Sequence, residues 1–115
     1  MQPSATSPEF FCEVHPDRER VLVRLGGELD LGVAPQVEAT VLELLDAGCS
    51  GIVVDLRELR FMDSTGLRML ITAQRAAEQR SCALALIRGP QAVHRIFEIT
   101  ATEPLFVFDG AGIDR

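Results

Sequence analysis

Apolar residues recur along this chain in two rhythms. Short runs rich in aliphatic and β-branched residues, Phe10 to Val14, Val21 to Leu25, Ile52 to Leu56 and Ala83 to Ile87, read as strands. Between them, Val37, Val41, Leu44 and Leu45 recur at helical spacing, as do Leu67, Leu70 and Ile71 and then Val93, Ile96 and Phe97. These groups predict three helices. His15-Pro16-Asp17-Arg18 carries turn chemistry and makes the first two strands a hairpin, and Gly26-Gly27 is expected to end the second strand. Pro35 sits near the first helix start, and Gly48 stands where a left-handed residue would stop that helix. Ile52 to Leu56 reads as a central strand buried on both faces, followed by a loop from Arg57 to Met62. The second helix is expected to begin at Asp63-Ser64-Thr65-Gly66 and to run through an alanine-rich stretch to about Arg80. After Gly89-Pro90 comes the short third helix, and Leu105 to Phe108 is expected to add an edge strand. The order predicts an α/β fold: a mixed sheet of four or five strands packed against helices, with no linker or internal repeat.

A chain of 115 residues with 47% apolar residues has enough core for one domain, placed at residues 9–115 behind a polar leader over residues 1–8. That leader lacks the basic start and apolar middle of a secretory signal, and no apolar stretch approaches the roughly 20 residues that cross a bilayer. A cytoplasmic location is expected, without membrane contact. A net charge of −6 gives no footprint for holding phosphate backbones, so nucleic acid is not an expected direct partner. All eleven cationic residues are arginine, which removes the lysine-dependent phosphate loop and any Schiff-base chemistry. Cys12, Cys49 and Cys82 are far apart in sequence and read as reduced thiols, with no expected metal or cofactor.

Chemistry concentrates at Asp63-Ser64-Thr65-Gly66, where a carboxylate, two hydroxyls and a permissive backbone meet a helix start beyond a central strand. Unsatisfied N–H groups and the helix dipole favour an anion there. One reading is structural: Asp63 or Ser64 caps the helix, worth about 1 kcal/mol. Gly66 adds to this, because a first-turn glycine costs up to about 1 kcal/mol relative to alanine and therefore implies a close approach or an unusual torsion. The other reading is a phosphoacceptor: a phosphorylated Ser64 carries about −1.5 to −2 charge, which a helix start accepts and an acidic or apolar docking surface does not. Asp63 and, by loop placement, Asp30 would enlarge that anionic patch. Hydrolytic chemistry finds no support, since Ser64 lies outside a G-x-S-x-G elbow and the histidines are His15 in a turn and His94, expected on a helix surface. Asp55, at the end of the central strand, invites comparison with a receiver-domain phosphoacceptor, but the lysine that chemistry needs is absent. It is expected to be solvated or bonded to backbone N–H groups.

Gly27-Glu28-Leu29-Asp30, Val53-Val54-Asp55-Leu56 and Phe61-Met62-Asp63-Ser64-Thr65-Gly66-Leu67 together resemble the STAS domain of bacterial anti-sigma factor antagonists, over about residues 10 to 109. The resemblance implies a single-domain STAS fold and a regulatory binding protein that is not an enzyme. In its unphosphorylated form it binds a serine kinase that doubles as an anti-sigma factor, and so frees the sigma factor. Ser64 matches the phosphoacceptor, flanked by Asp63 and Thr65; Gly66 matches the helix glycine and Asp30 the acidic residue of the neighbouring loop. The kinase brings ATP and magnesium, a serine phosphatase restores the binding form, and the antagonist is expected to be a monomer. Two departures stand out: Arg68, where many antagonists carry glycine, and Ala101-Thr102, where the third helix commonly ends at glycine. Arg68 lies one turn from Ser64, within reach of a phosphoserine or a partner. A different class of function, a STAS-type sensor or scaffold binding a small ligand or signalling complex, would leave Ser64 as a helix cap without a switch.

Overall fold

The computed structural model describes residues 10–109, so the expected leader lies outside the described residues. Strand β1 (Phe11–Asp17) pairs antiparallel with β2 (Arg20–Leu29), and the β-branched runs then continue as parallel neighbours β3 (Gly51–Met62) and β4 (Ala83–Ile87). Sheet order follows chain order, β1-β2-β3-β4. The parallel neighbours are connected through α1 (Ala34–Asp46) and α2 (Ser64–Gln79), and α3 (Gln91–Ile99) follows β4. Alternation along the strands turns Val23, Leu25, Ile52, Val54, Leu84 and Leu86 to one face, where they join Val37 and Val41 of α1, Leu70 and Ala73 of α2 and Phe97 of α3 in one core.

Four segments differ from the expectation, three of them through pairing that only the sheet supplies. The hairpin turn is Arg18-Glu19, with Arg18 at φ 61°, so His15-Pro16 belongs to the strand. Gly26-Gly27 does not end β2; the pairing with β3 continues through two register shifts, and Gly27 takes φ 92° between them. Arg57 to Met62 is strand, held by Glu28↔Phe61 and Leu29↔Met62. The expected edge strand at Leu105 to Phe108 is instead a 3-10 turn over Glu103–Leu105 followed by one parallel bridge, Leu86↔Phe108.

Two polar residues lie deeper than expected: Asp55 is buried in mid-strand rather than solvated at a strand end, although a backbone N–H does bond it, and His94 is off the helix surface. Asp55 is 2% exposed, in mid-strand; its Oδ1 accepts from Arg57 N at 3.0 Å and Arg57 Nε at 3.1 Å, and Oδ2 accepts from Arg57 Nη2 at 3.0 Å. A carboxylate out of water needs such charge-assisted partners. His94 is 1% exposed, its ring packed against Phe97 and Phe108.

All three helices end in the same motif. After α1, Cys49 N donates to Leu44 O and Gly48 N to Leu45 O; after α2, Cys82 N donates to Ala77 O and Ser81 N to Glu78 O; after α3, Thr102 N donates to Phe97 O and Ala101 N to Glu98 O. The residue at the turn is left-handed each time: Gly48 at φ 90°, Ser81 at φ 57° and Ala101 at φ 58°. An L side chain costs about 1–2 kcal/mol in that region. Ala101→Gly is expected to stabilise the domain by about 0.5–1 kcal/mol, the gain reduced by glycine's freer unfolded chain. Urea unfolding of the two proteins measures it.

Candidate functional site

The site forms where β2 and β3 end together. Leu29 pairs with Met62, and Asp63 N donates to Leu29 O at 3.3 Å, which sets the loop after β2 beside the start of α2. Asp30 heads that loop: its carbonyl accepts from Val33 N and Ala34 N, and its Oδ1 accepts from Gly32 N at 3.0 Å. The Asp30 and Asp63 carboxylates are thus brought to one end of the sheet by residues 33 positions apart in sequence.

Asp63 is the helix cap. It is extended at φ −104° and ψ −173°, and its Oδ1 accepts from Thr65 N at 3.0 Å and Gly66 N at 3.1 Å. Ser64, the first helical residue, is exposed, and its hydroxyl has no hydrogen bond among the described residues. The structure therefore assigns capping to the carboxylate and leaves the serine hydroxyl facing solvent at the positive end of the α2 dipole. Thr65 is half-buried.

Gly66 is buried, and close approach accounts for it. A Cβ there would stand 2.8 Å from Met62 Cγ and 2.9 Å from both Leu29 Cγ and the Leu29 carbonyl oxygen. That carbonyl is held by Asp63 N and has no room to retreat. Gly66 thus sets how closely α2 approaches the sheet and presents no surface of its own. Overpacking costs about 1–3 kcal/mol and helix propensity returns up to about 1 kcal/mol, so Gly66→Ala is expected to destabilise by about 1–2 kcal/mol in a urea titration.

Arg68 is exposed, one turn beyond Ser64, and lines a cleft of about 140 Å³ between α1 and α2 with Pro35, Glu38 and Thr65. Two apolar side chains flank the serine loop in water: Leu31 is 70% exposed and Phe61 47% exposed. Neither exposure is expected from the sequence. Phe61 stands on the end of a paired strand rather than in the expected loop, and an apolar residue's exposure has no local signature.

Other reactive groups offer little. Burial pushes the Cys12 thiol up, with a Thr40 hydrogen bond opposing, and burial followed by the nearby Cys49 pushes Cys82 up. Thiols held protonated are poor nucleophiles.

The family model described as "Mlab, STAS domain" matches residues 12–106. The chain belongs to the STAS domain family. Among curated relatives, this STAS domain is 32% identical over 83 residues to the anti-sigma-B factor antagonist of Staphylococcus aureus, covering 72% of this chain and 77% of the relative. The Staphylococcus epidermidis protein of the same name is 30% identical over the same shares. Among solved structures, an anti-sigma factor antagonist from Mycobacterium paratuberculosis superposes with a TM-score of 0.82 at 20% identity, over 92% of this chain and 90% of that one. The antagonist SpoIIAA in its unphosphorylated form gives a TM-score of 0.74 at 25% identity over 92% of each chain. The phosphorylated form of SpoIIAA, from Bacillus, gives 0.69 at 26% identity over 93% of this chain and 98% of that one. The STAS fold expected from the sequence is thereby shown. No helix among the described residues is long and apolar enough to cross a membrane.

Proposed function

We propose that this STAS domain is an anti-sigma factor antagonist whose unphosphorylated form binds a serine kinase acting as an anti-sigma factor, and whose phosphorylation at Ser64 ends that binding. The domain is a substrate and a switch; the kinase supplies ATP and magnesium, and a serine phosphatase resets the hydroxyl. The observation that carries this reading is the division of labour at the start of α2. Asp63 already caps the helix, so the exposed Ser64 hydroxyl is not needed for structure. Relatives named as anti-sigma factor antagonists, and the existence of SpoIIAA in both phosphorylation states, support the same reading.

Ser64, Thr65, Asp63, Asp30 and Arg68 form the proposed docking surface, with Gly66 setting the height of α2 beneath it. Transfer of the γ-phosphoryl group to Ser64 Oγ forms one P–O bond, releases ADP and a proton, and leaves a near-dianion at a helix N-terminus. The fold tolerates this charge, because Ser64 is exposed and the positive end of the α2 dipole favours an anion there. A partner surface that accepted a neutral hydroxyl beside two carboxylates does not.

The test is a pull-down from the native host with the wild-type chain, followed by incubation of the captured kinase with ATP and intact-mass measurement. One added phosphoryl group on wild type and none on Ser64→Ala is expected. Equal labelling of both proteins refutes the assignment of Ser64, and a stable complex indifferent to Ser64→Asp favours a sensor or scaffold without a switch.

A further inference from the structure

We propose that His94, Glu98 and Glu103 form a divalent-cation site suited to Zn²⁺. Among the described residues, they are the group in which one ligand atom from each side chain, an imidazole nitrogen and two carboxylate oxygens, all lie within 4.8 Å of one another. His94 and Glu98 are four residues apart on α3 and so stack on one helix face, while Glu103 comes from the 3-10 turn that follows the helix. Nothing in the sequence reading joined them; the Thr102 N to Phe97 O bond that closes α3 turns the chain back and brings Glu103 alongside.

The imidazole is held in place for the task. Its ring is 1% exposed, with centroids 5.3 Å from Phe97 and 5.1 Å from Phe108, and its Nε2 lies 2.6 Å from Glu103 Oε2. The Glu98 and Glu103 side chains are each 43% exposed, so an ion from solvent meets the carboxylates first and reaches the buried imidazole as Glu103 turns aside. Around a tetrahedral ion with bonds of about 2.0–2.2 Å, neighbouring ligand atoms stand roughly 3.4 Å apart. Opening the His94–Glu103 contact to that spacing requires only rotation of the half-exposed glutamate. The contacts Glu98 gives up are weak: Oε1 accepts from Gln91 Nε2 at 3.2 Å and Oε2 lies 4.0 Å from Arg88.

Donor chemistry selects the ion. An imidazole with two carboxylates suits Zn²⁺, whereas Ca²⁺ and Mg²⁺ prefer all-oxygen shells. Three protein ligands leave a position for water. With Nε2 on the metal, the ring hydrogen sits on Nδ1, which is buried without a hydrogen-bond partner. Lacking the outer carboxylate or carbonyl that usually orients such a histidine, the site is expected to bind reversibly, at micromolar affinity rather than tighter. Occupancy ties the 3-10 turn to α3.

Isothermal titration of ZnCl₂ into the chelator-stripped full chain is the test, with CaCl₂ as comparison and thermal unfolding as second readout. One equivalent of Zn²⁺ binding at micromolar concentration, a raised Tm and no comparable Ca²⁺ binding are expected. Glu98→Gln and Glu103→Gln replace half-exposed side chains without emptying the core, and each is expected to weaken Zn²⁺ binding roughly tenfold or more. Co²⁺ in place of Zn²⁺ should show the visible bands of a nitrogen and oxygen site without thiolate charge transfer. Absence of binding at millimolar Zn²⁺, unchanged affinity in either glutamine variant, or a thiolate spectrum would overturn the proposal.

Discussion

Ser64→Asp is expected to lower affinity for the kinase partner by about a thousandfold, while Ser64→Ala keeps the affinity and loses the phosphorylation. The magnitude follows from electrostatics at a contact: placing a charge against a surface that fits a neutral hydroxyl costs several kcal/mol, and about 4 kcal/mol is a thousandfold in Kd. The substitution leaves the domain folded for a reason visible in the structure. Ser64 is exposed, the Asp63 carboxylate rather than the Ser64 hydroxyl accepts the capping bonds, and an anion in the first turn interacts favourably with the helix dipole. Unchanged circular dichroism and Tm with lost binding is the expected signature. Calorimetric titration of the purified partner measures the ratio. Arg68→Gly serves as the companion variant, since Arg68 follows Ser64 by one helical turn; a phosphorylated Arg68→Gly chain that binds no differently from phosphorylated wild type would remove Arg68 from the switch.

The second large effect is on stability. Phe97→Ala is expected to cost about 3–5 kcal/mol, a large share of the roughly 5–15 kcal/mol that holds a domain together. Phe97 is fully buried, with edge-on contacts to Phe106 at 5.4 Å and Phe108 at 5.4 Å and a tilted one to His94 at 5.3 Å. These rings join α3 to the segment that makes the Leu86↔Phe108 bridge, so truncation empties the centre of the contact rather than its rim. Urea unfolding followed by circular dichroism reads the loss as a lower midpoint. A change below about 1 kcal/mol would mean that the surrounding rings collapse into the space.

How the site could be read in advance differs residue by residue. The α2 start was legible because its signals are local: a capping residue followed by helical periodicity, with Gly66 in the first turn as a mark of close approach. Which of Asp63 and Ser64 does the capping was not legible, since both side chains can reach the same N–H groups. The same limit applies to Leu31, Phe61 and the His94 cluster, because exposure and side-chain convergence depend on elements distant in sequence.

By itself, the sequence determined the order of the four strands and three helices, the absence of lysine chemistry, and the coincidence of a cap, a hydroxyl and a glycine after the central strand. These rest on short-range forces, namely side-chain alternation, helical spacing and backbone torsion. Tertiary structure alone decided that β2 and β3 run on past Gly26-Gly27 and Arg57, that Asp63 N bonds the Leu29 carbonyl, and that Asp55 and His94 are buried. Those outcomes come from pairing and packing between residues far apart in the chain, where the gain from burial and ladder hydrogen bonds outweighs local preference.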